Sequence, residues 1–389
     1  MGMKKKTGLI LTGGGARAAY QIGVLQAISE ILWEEGWPPA RNPFQIICGT
    51  SAGAINATAL ACRADNFGEG VQKLLDVWSN FEANQVYRAD SLGVLRSGAR
   101  WLSLLSFGWL LRKWRAAPPQ SLLDNTPLVN LLHRMLDLPR LDNCLQEGLL
   151  HAVAVTASSY TGGQHITFYQ TAAEIAPWVR MQRVAMQDQI GVEHLLASSA
   201  IPFIFPATPL YMGGHLEFCG DGSMRQLAPI APAIHLGAHR VLVVGAGRMN
   251  ETVNHLPARV RYPSLAQIAG HALSSIFLDG LAMDIERLQR VNATLAMVPD
   301  EALVNTPLRR IDLLAIVPSE RLDDIAARHA ASLPVPVRTL LGGIGATETR
   351  GAALASYLLF EGGYTRELMA LGQRDTFVRR HDVLEFFEA

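Results

Sequence analysis

Cysteine is scarce in this chain, which has four among its 389 residues. They stand far apart, at Cys48, Cys62, Cys144 and Cys219. This number and spacing exclude a disulfide scaffold and the paired ligands of a zinc motif. A reducing compartment is therefore expected. We predict a cytoplasmic protein, with peripheral contact to the inner face of a membrane as a further expectation.

Net charge is also lacking, because 34 basic side chains are balanced by 34 acidic ones. Without a global positive field the chain is not expected to bind nucleic acid, and any attraction to a membrane must be local. No run of about 18 apolar residues occurs, so we predict no transmembrane helix. The basic start, MGMKKKTGLILTGGG, has only a short apolar part before three glycines, which predicts a first strand instead of an export signal.

What the sequence does contain is a repeated unit of strand, glycine-rich turn and helix. Residues 8–12 predict a buried strand, Gly13-Gly14-Gly15 a sharp turn, and residues 16–34 a helix with one apolar face. Residues 44–62 repeat the pattern around Gly49-Thr50-Ser51-Ala52-Gly53. Consecutive units of this kind imply parallel strands joined by right-handed crossovers, so both turns should leave the sheet at one edge. The triple glycine is therefore expected beside Ser51.

Further strands and helices follow, and their interleaving indicates an α/β fold. The expected strands cover residues 149–157, 164–170, 216–219, 240–245 and 311–317. The expected helices cover residues 72–80, 193–200, 265–297 and 351–371.

The turn at Ser51 has the spacing of a nucleophile elbow. Neighbouring segments nearly touch in such a turn, so the positions two before and two after the serine must lack side chains, and Gly49 and Gly53 fill them. The helix that follows aims its first amides at the oxyanion that forms when a serine attacks a carbonyl. The alternative is a plain Gly/Ser-rich turn between core elements, but the flanking strand and helix are the context that the motif requires.

A serine nucleophile needs a base within hydrogen-bond reach, and the sequence offers two sources. Asp221 ends a predicted strand between two glycines, in the stretch Phe218-Cys219-Gly220-Asp221-Gly222-Ser223. An aspartate there is either a turn residue or a base that acts alone. A conventional triad would add a histidine after Asp221, and the candidates are His235, His239, His255 and His271.

Three motifs in this order resemble the patatin-like phospholipase family, in its bacterial type. They are Gly13-Gly14-Gly15-Ala16-Arg17-Ala18, Gly49-Thr50-Ser51-Ala52-Gly53 and Asp221-Gly222-Ser223, supported by residues 121–128 and 197–202. The resemblance implies a three-layer α/β/α fold with a mainly parallel central sheet and C-terminal helical additions. The chain departs from the family at Ala18, where glycine is usual, and at Ser223, where glycine or alanine is usual.

The resemblance implies an acyl ester hydrolase with a Ser-Asp dyad, no metal, no cofactor and no catalytic histidine, acting on a lipid or phospholipid. By position, the site residues are Ser51 as nucleophile, Asp221 as base with Gly222 in its motif, and Gly13, Gly14, Gly15 and Arg17 at the oxyanion hole. For Arg17, the position after the glycines also favours a structural role in shaping that loop. The alternatives are a Ser-Asp-His α/β-hydrolase and a membrane-binding protein without turnover.

Residues 6–250 form the predicted catalytic domain, and 251–389 a mainly helical extension on the same core. Within the first domain, residues 91–117 hold five basic side chains and no acidic one. The candidates for membrane contact are Trp101, Trp109, Trp114, Arg112 and Lys113. Basic ends around a leucine-rich middle that is too short to span a bilayer predict contact with lipid headgroups. The alternatives for the insertion at 91–120 are a lid over an acyl pocket and a helical hairpin packed on the core.

Overall fold

The computed structural model describes residues 5–88, 121–248, 262–303, 306, 308–343, 345 and 352–388. The insertion at 91–120, with Trp101, Trp109, Trp114, Arg112 and Lys113, lies outside the described residues, and so does His255. The role of the insertion at 91–120 as lid or membrane contact stays a prediction. The domain division near residue 250 stays a prediction as well.

Strands and helices alternate along the chain. The strands are β1 (Thr7–Leu11), β2 (Ile46–Thr50), β3 (Ala152–Ser159), β4 (His165–Gln170), β5 (Val179–Arg180), β6 (Arg183–Gln187), β7 (Thr208–Met212), β8 (His215–Asp221), β9 (Arg240–Val244) and β10 (Asp312–Ile316). The helices are α1 (Ala19–Glu34), α2 (Ala52–Ala61), α3 (Phe67–Ser79), α4 (Thr126–Met135), α5 (Leu138–Gln146), α6 (Val192–Ser198), α7 (Ala231–His235), α8 (Leu265–Ala296), α9 (Asp300–Leu303), α10 (Leu322–His329), α11 (Val335–Gly343), α12 (Ala352–Ser356), α13 (Gly362–Val378) and α14 (Arg380–Glu388). Short 3-10 turns occupy Gly15–Ala18, Ala83–Gln85 and Ala330–Ser332.

The strands form one sheet in the order β10-β9-β1-β2-β3-β4-β6-β5, and β8 joins it at the end of β3 with β7 beside it. Strands β10, β9, β1, β2 and β3 run parallel to one another, as the two strand-turn-helix units predicted for β1 and β2. Strand β8 runs antiparallel to β3, with Asp221 opposite Ala157. One residue earlier in β3, Thr156 lies opposite Thr50 of β2. The end of β8 therefore reaches the edge at which β2 ends.

Helices cover both faces of the sheet. On one face Leu9, Leu11 and Ile47 belong to a core shared with helices α1, α2 and α13. On the other face Ile10 and Val241 belong to a second core, shared with helices α7 and α8. The predicted α/β fold, with three layers and a mainly parallel central sheet, is confirmed.

The prediction of one continuous helix over residues 351–371 is wrong in its middle. Helix α12 ends at Ser356 and helix α13 begins at Gly362. At the interruption, the carbonyl of Tyr357 accepts a hydrogen bond from the backbone N–H of Ala16 at 3.0 Å. A contact with so distant a segment leaves no trace in the local helical pattern on which the prediction rested.

Helix α8 is long and apolar enough, by length and composition, to cross a membrane. Of its most apolar stretch of 18 residues, 22% is buried. In this structure Phe277, Leu281 and Ile285 of the helix are buried against the two cores. Core helices of folded domains also reach this length and hydropathy. The absence of a transmembrane helix stays a prediction.

Candidate active site

Ser51 lies in a strained turn between strand β2 and helix α2. Its backbone has φ 55° and ψ −132°, a conformation that costs a residue with a side chain about 1–3 kcal/mol. A Cβ atom on Gly49 would lie 2.4 Å from the carbonyl oxygen of Gly53, and one on Gly53 would lie 2.3 Å from that of Leu11. Both glycines are thus required by close backbone approach. The backbone N–H of Ser51 donates to the Oγ of Ser198 at 2.8 Å.

Asp221 lies at the end of strand β8, within hydrogen-bond distance of Ser51. The hydroxyl of Ser51 donates to Oδ2 of Asp221 at 2.6 Å. The other carboxylate oxygen, Oδ1, accepts the backbone N–H of Ser223 at 2.8 Å. A Cβ atom on Gly222 would lie 2.1 Å from the carbonyl oxygen of Thr156, so this turn needs glycine against strand β3. The structure therefore brings the predicted nucleophile and the predicted base together.

Burial raises the pKa of Asp221 in this pair. Ser51 is 1% exposed and Asp221 is fully buried. Desolvation raises the pKa of Asp221 from 3.8 to about 6, although hydrogen bonds from Ser51 and Ser223 favour the charged form and act in the opposite direction. At neutral pH the carboxylate is thus ionised, yet more basic than an aspartate in water.

The glycine loop lies beside this pair. A Cβ atom on Gly13 would lie 2.3 Å from the Oγ of Ser223, which places the loop directly against the base motif. The side chain of Ser223 is buried, and its hydroxyl has no hydrogen-bond partner among the described residues. Within the same described part, the backbone N–H groups of Gly13, Gly14 and Gly15 also have no acceptor. These three donors are therefore available to an anionic oxygen.

Arg17 is buried, and its side chain contacts the C-terminal part of the chain. Its Nε donates to the Oγ of Ser356 at 2.7 Å, and its Nη2 forms an ion pair with Asp323. Its guanidinium lies 4.0 Å from the ring centroid of Tyr357. These contacts fit the structural role that the sequence favoured for Arg17.

Two of the histidines considered for a triad, His235 and His239, have other partners. His235 stacks on Trp178 at 4.7 Å between ring centroids, and Nδ1 of His239 accepts the backbone N–H of Lys6 at 3.4 Å. His271 is exposed on helix α8. In the described part of the chain, the carboxylate of Asp221 has its hydrogen bonds with Ser51 and Ser223.

A different histidine, which the sequence reasoning missed, contacts the base motif. His165 of strand β4 is buried, and its Nε2 lies 3.1 Å from the carbonyl oxygen of Gly222. Burial lowers the pKa of His165 to about 4, so the ring is neutral and donates this bond. A lone histidine in a predicted strand carries no local signal for such a contact.

An apolar cavity of about 40 Å³ opens beside Ser51. Its walls are mainly large apolar side chains, among them Ile55, Trp78, Phe81, Leu131, Met135, Phe205 and Phe360. Ser199 is the other hydroxyl side chain there, and it has no hydrogen-bond partner among the described residues. A larger cleft, bounded by Lys6, Gln45 and His151, lies at the opposite edge, where the strands begin, and contains none of the predicted site residues.

In the described ranges, no group of three His, Cys, Asp or Glu side chains is placed to hold a metal ion.

Comparison with known proteins agrees with the motifs. Residues 9–234, more than half of the 389, match the family described as patatin-like phospholipase. Among solved structures, VipD from Legionella pneumophila is similar at 14% identity and a TM-score of 0.31, covering 94% of this chain and 67% of that one. ExoU of Pseudomonas aeruginosa, solved with SpcU of the type III secretion system, is similar at 16% identity and a TM-score of 0.27, covering 90% and 70%. No curated protein matches the chain. The family match and the order of the motifs lead to one conclusion: the chain belongs to the patatin-like phospholipase family.

Proposed function

We propose that the protein is a serine hydrolase of lipid acyl esters, of the phospholipase A or lysophospholipase type. The observation that carries the proposal is the 2.6 Å hydrogen bond from the hydroxyl of Ser51 to the buried carboxylate of Asp221. The free amides of the glycine loop and the apolar cavity beside Ser51 give the pair a place for an oxyanion and a place for an acyl chain.

In the first half of the proposed reaction, Ser51 is acylated. Its Oγ attacks the ester carbonyl while Asp221 takes the hydroxyl proton. The negative charge on the carbonyl oxygen is stabilised by the amides of Gly13, Gly14 and Gly15. The tetrahedral intermediate then collapses. The bond to the alcohol breaks, the alcohol takes the proton from Asp221, and the acyl group stays on Ser51.

In the second half, water replaces the alcohol. Asp221 takes a proton from the water, and the oxygen of that water attacks the acyl carbonyl in the same oxyanion site. When the second intermediate collapses, the proton on Asp221 returns to the Oγ of Ser51 and the fatty acid leaves. One carboxylate therefore serves both halves.

Burial supports Asp221 in this role. A general base works best when its pKa is near the working pH, and an aspartate in water is too weak a base for that. Desolvation raises the pKa of Asp221 to about 6, in the direction that the role requires. The proposal needs no histidine, and the described histidines do not bond to this carboxylate.

The substrate chemistry follows from the lining of the cavity. Aromatic and aliphatic side chains, with only hydroxyls as polar groups, suit a fatty acyl chain and offer nothing to a charged group. We also propose that the protein is cytoplasmic and that residues 91–117 contact the inner face of a membrane peripherally. Replacing Trp101, Trp109 and Trp114 by alanine should weaken binding to liposomes, and unchanged binding would contradict this contact.

The experiment that tests the function is hydrolysis of a substrate panel. The panel holds phospholipids, lysophospholipids, neutral glycerides and short p-nitrophenyl esters. The wild type should release fatty acid from the lipids, and Ser51→Ala should release none. Ser332→Ala, which changes an exposed serine, should equal the wild type.

Two outcomes of the same experiment would contradict the proposal. Equal activity of Ser51→Ala and wild type would exclude Ser51 as the nucleophile. A wild type without activity on any ester would leave the non-catalytic membrane-binding protein as the better account.

A second set of variants tests the dyad against the triad. Loss of activity on replacing His235, His239, His255 or His271 by alanine would restore the triad.

A further inference from the structure

The glycine loop is held by a part of the chain that lies outside the family match at residues 9–234. One backbone hydrogen bond and one close backbone approach join them at Tyr357. The N–H of Ala16 donates to the Tyr357 carbonyl at 3.0 Å, and a Cβ atom on Gly15 would lie 2.3 Å from the same oxygen. The turn after helix α12 therefore fixes the position of the residues that follow Gly14.

Arg17 adds a side-chain connection between the same two segments. Its guanidinium is bound by the carboxylate of Asp323, by the Oγ of Ser356 at 2.7 Å and by the carbonyl of Ala353 at 3.3 Å. The hydroxyl of Ser356 in turn donates to that carbonyl at 2.6 Å. Because Arg17 is 3% exposed, removing one of these partners leaves a buried charge with fewer hydrogen bonds.

Helix α8 packs against the glycine loop through Phe277. The ring of Phe277 stacks on that of Tyr357 at 5.0 Å between centroids. A Cβ atom on Gly13 would lie 2.9 Å from the Phe277 ring. Each glycine of the loop is therefore packed against a neighbour that leaves no room for a side chain.

We propose that Asp323 and Ser356 are positioning residues for the hydrolysis proposed above. They bind the guanidinium of Arg17, and Arg17 fixes the loop. The loop directs the amides of Gly13, Gly14 and Gly15 at the carbonyl oxygen. The inference rests on the proposed function. It adds that the oxyanion site is completed by residues more than 300 positions further along the chain.

A positioning role predicts a particular kinetic signature. Donors aimed at an oxyanion act in the transition state and contribute little to binding of the neutral ester. Misplacing them should therefore lower kcat and leave KM nearly unchanged. The acid limb of the pH profile should also stay where it is, because Asp221 is not touched.

The test compares Asp323→Asn with Asp324→Asn on a soluble p-nitrophenyl ester. Asp323→Asn keeps the size of the side chain but removes the charge that binds Arg17. We expect kcat to fall about 10- to 100-fold with KM within about twofold of the wild type. Asp324→Asn removes a neighbouring, exposed charge that contacts Arg321 and should leave both constants unchanged. Asp323→Glu, which restores the charge, should recover part of kcat.

Ser356→Ala keeps the inference testable if Asp323→Asn does not fold. It removes one hydrogen bond to Arg17 and should lower kcat in the same selective way. Unchanged kcat in the folded variants would overturn the inference. So would a loss of kcat that matches the fraction of inactive protein, measured by titrating Ser51 with a fluorophosphonate. A wild type that is neither labelled at Ser51 nor active would refute the proposed function itself.

Discussion

The buried carboxylate of Asp221 should make the folded protein less stable at neutral pH than it would be without that charge. Burial raises its pKa from 3.8 to about 6, so the folded chain holds the proton more tightly than the unfolded chain does. The contribution of Asp221 to the free energy of unfolding must therefore fall as the pH rises from about 4 to about 6, because the unfolded state releases its proton first. Above pH 6 the full cost of ionising a buried group applies.

The size of this cost follows from the two pKa values. At about pH 8, the difference between 3.8 and about 6 corresponds to about 3 kcal/mol in the free energy of unfolding. At about pH 4.5, where the folded form is still protonated, the cost is about 1 kcal/mol. Asp221→Asn has no charge at either pH, and its amide oxygen can still accept the hydroxyl of Ser51. The variant should thus gain about 2 kcal/mol relative to the wild type between the two pH values.

Urea unfolding of both proteins at the two pH values measures this gain. Comparing the proteins across pH cancels the titration of the other groups, which they share, and also any pH-independent effect of the amide. The variant should be inactive and relatively more stable at the higher pH. A stability difference that is the same at both pH values would refute the claim that Asp221 is buried with a raised pKa.

Other predictions concern the pH profile, the elbow and the cavity. kcat/KM should fall below about pH 6 as Asp221 takes up its proton, and a pH profile without this acid limb would contradict the role of Asp221 as the base. Gly53→Ala should destabilise the protein by at least about 1–3 kcal/mol in urea unfolding, since its methyl group would meet the carbonyl of Leu11 at 2.3 Å, and wild-type stability would disprove that contact. Phe360→Ala should cost about 3–5 kcal/mol and shift the preferred acyl chain to greater length in the ester panel, whereas an unchanged preference would place the acyl chain elsewhere.

Local sequence patterns were sufficient to predict the glycine loop after strand β1 and the serine turn after strand β2. Strands β1 and β2 are neighbours in both sequence and sheet, so their glycine turns had to leave at the same edge. The elbow required Gly49 and Gly53, and the structure gives each a backbone neighbour that excludes a side chain. The motif at Asp221 was also visible, because a strand and two glycines surround it.

Contacts between distant segments left no such pattern. Asp221 reaches Ser51 because strand β8 pairs antiparallel with the end of β3, and nothing in residues 216–219 indicates that partner. Arg17 meets Asp323 and Ser356 across more than 300 residues, and His165 meets Gly222 across 57. Each is an ordinary polar residue in its own segment, so only the folded chain reveals the contact.

The central claim is that Asp221 alone activates Ser51. The rate at which a fluorophosphonate labels Ser51, followed by mass spectrometry of the peptide, tests it most directly. In the wild type the label should form on Ser51, and its rate should fall as the pH is lowered through about 6. In Asp221→Asn the label should form at least about a hundredfold more slowly at neutral pH. Labelling of Asp221→Asn at the wild-type rate, or labelling at a residue other than Ser51, would contradict the account.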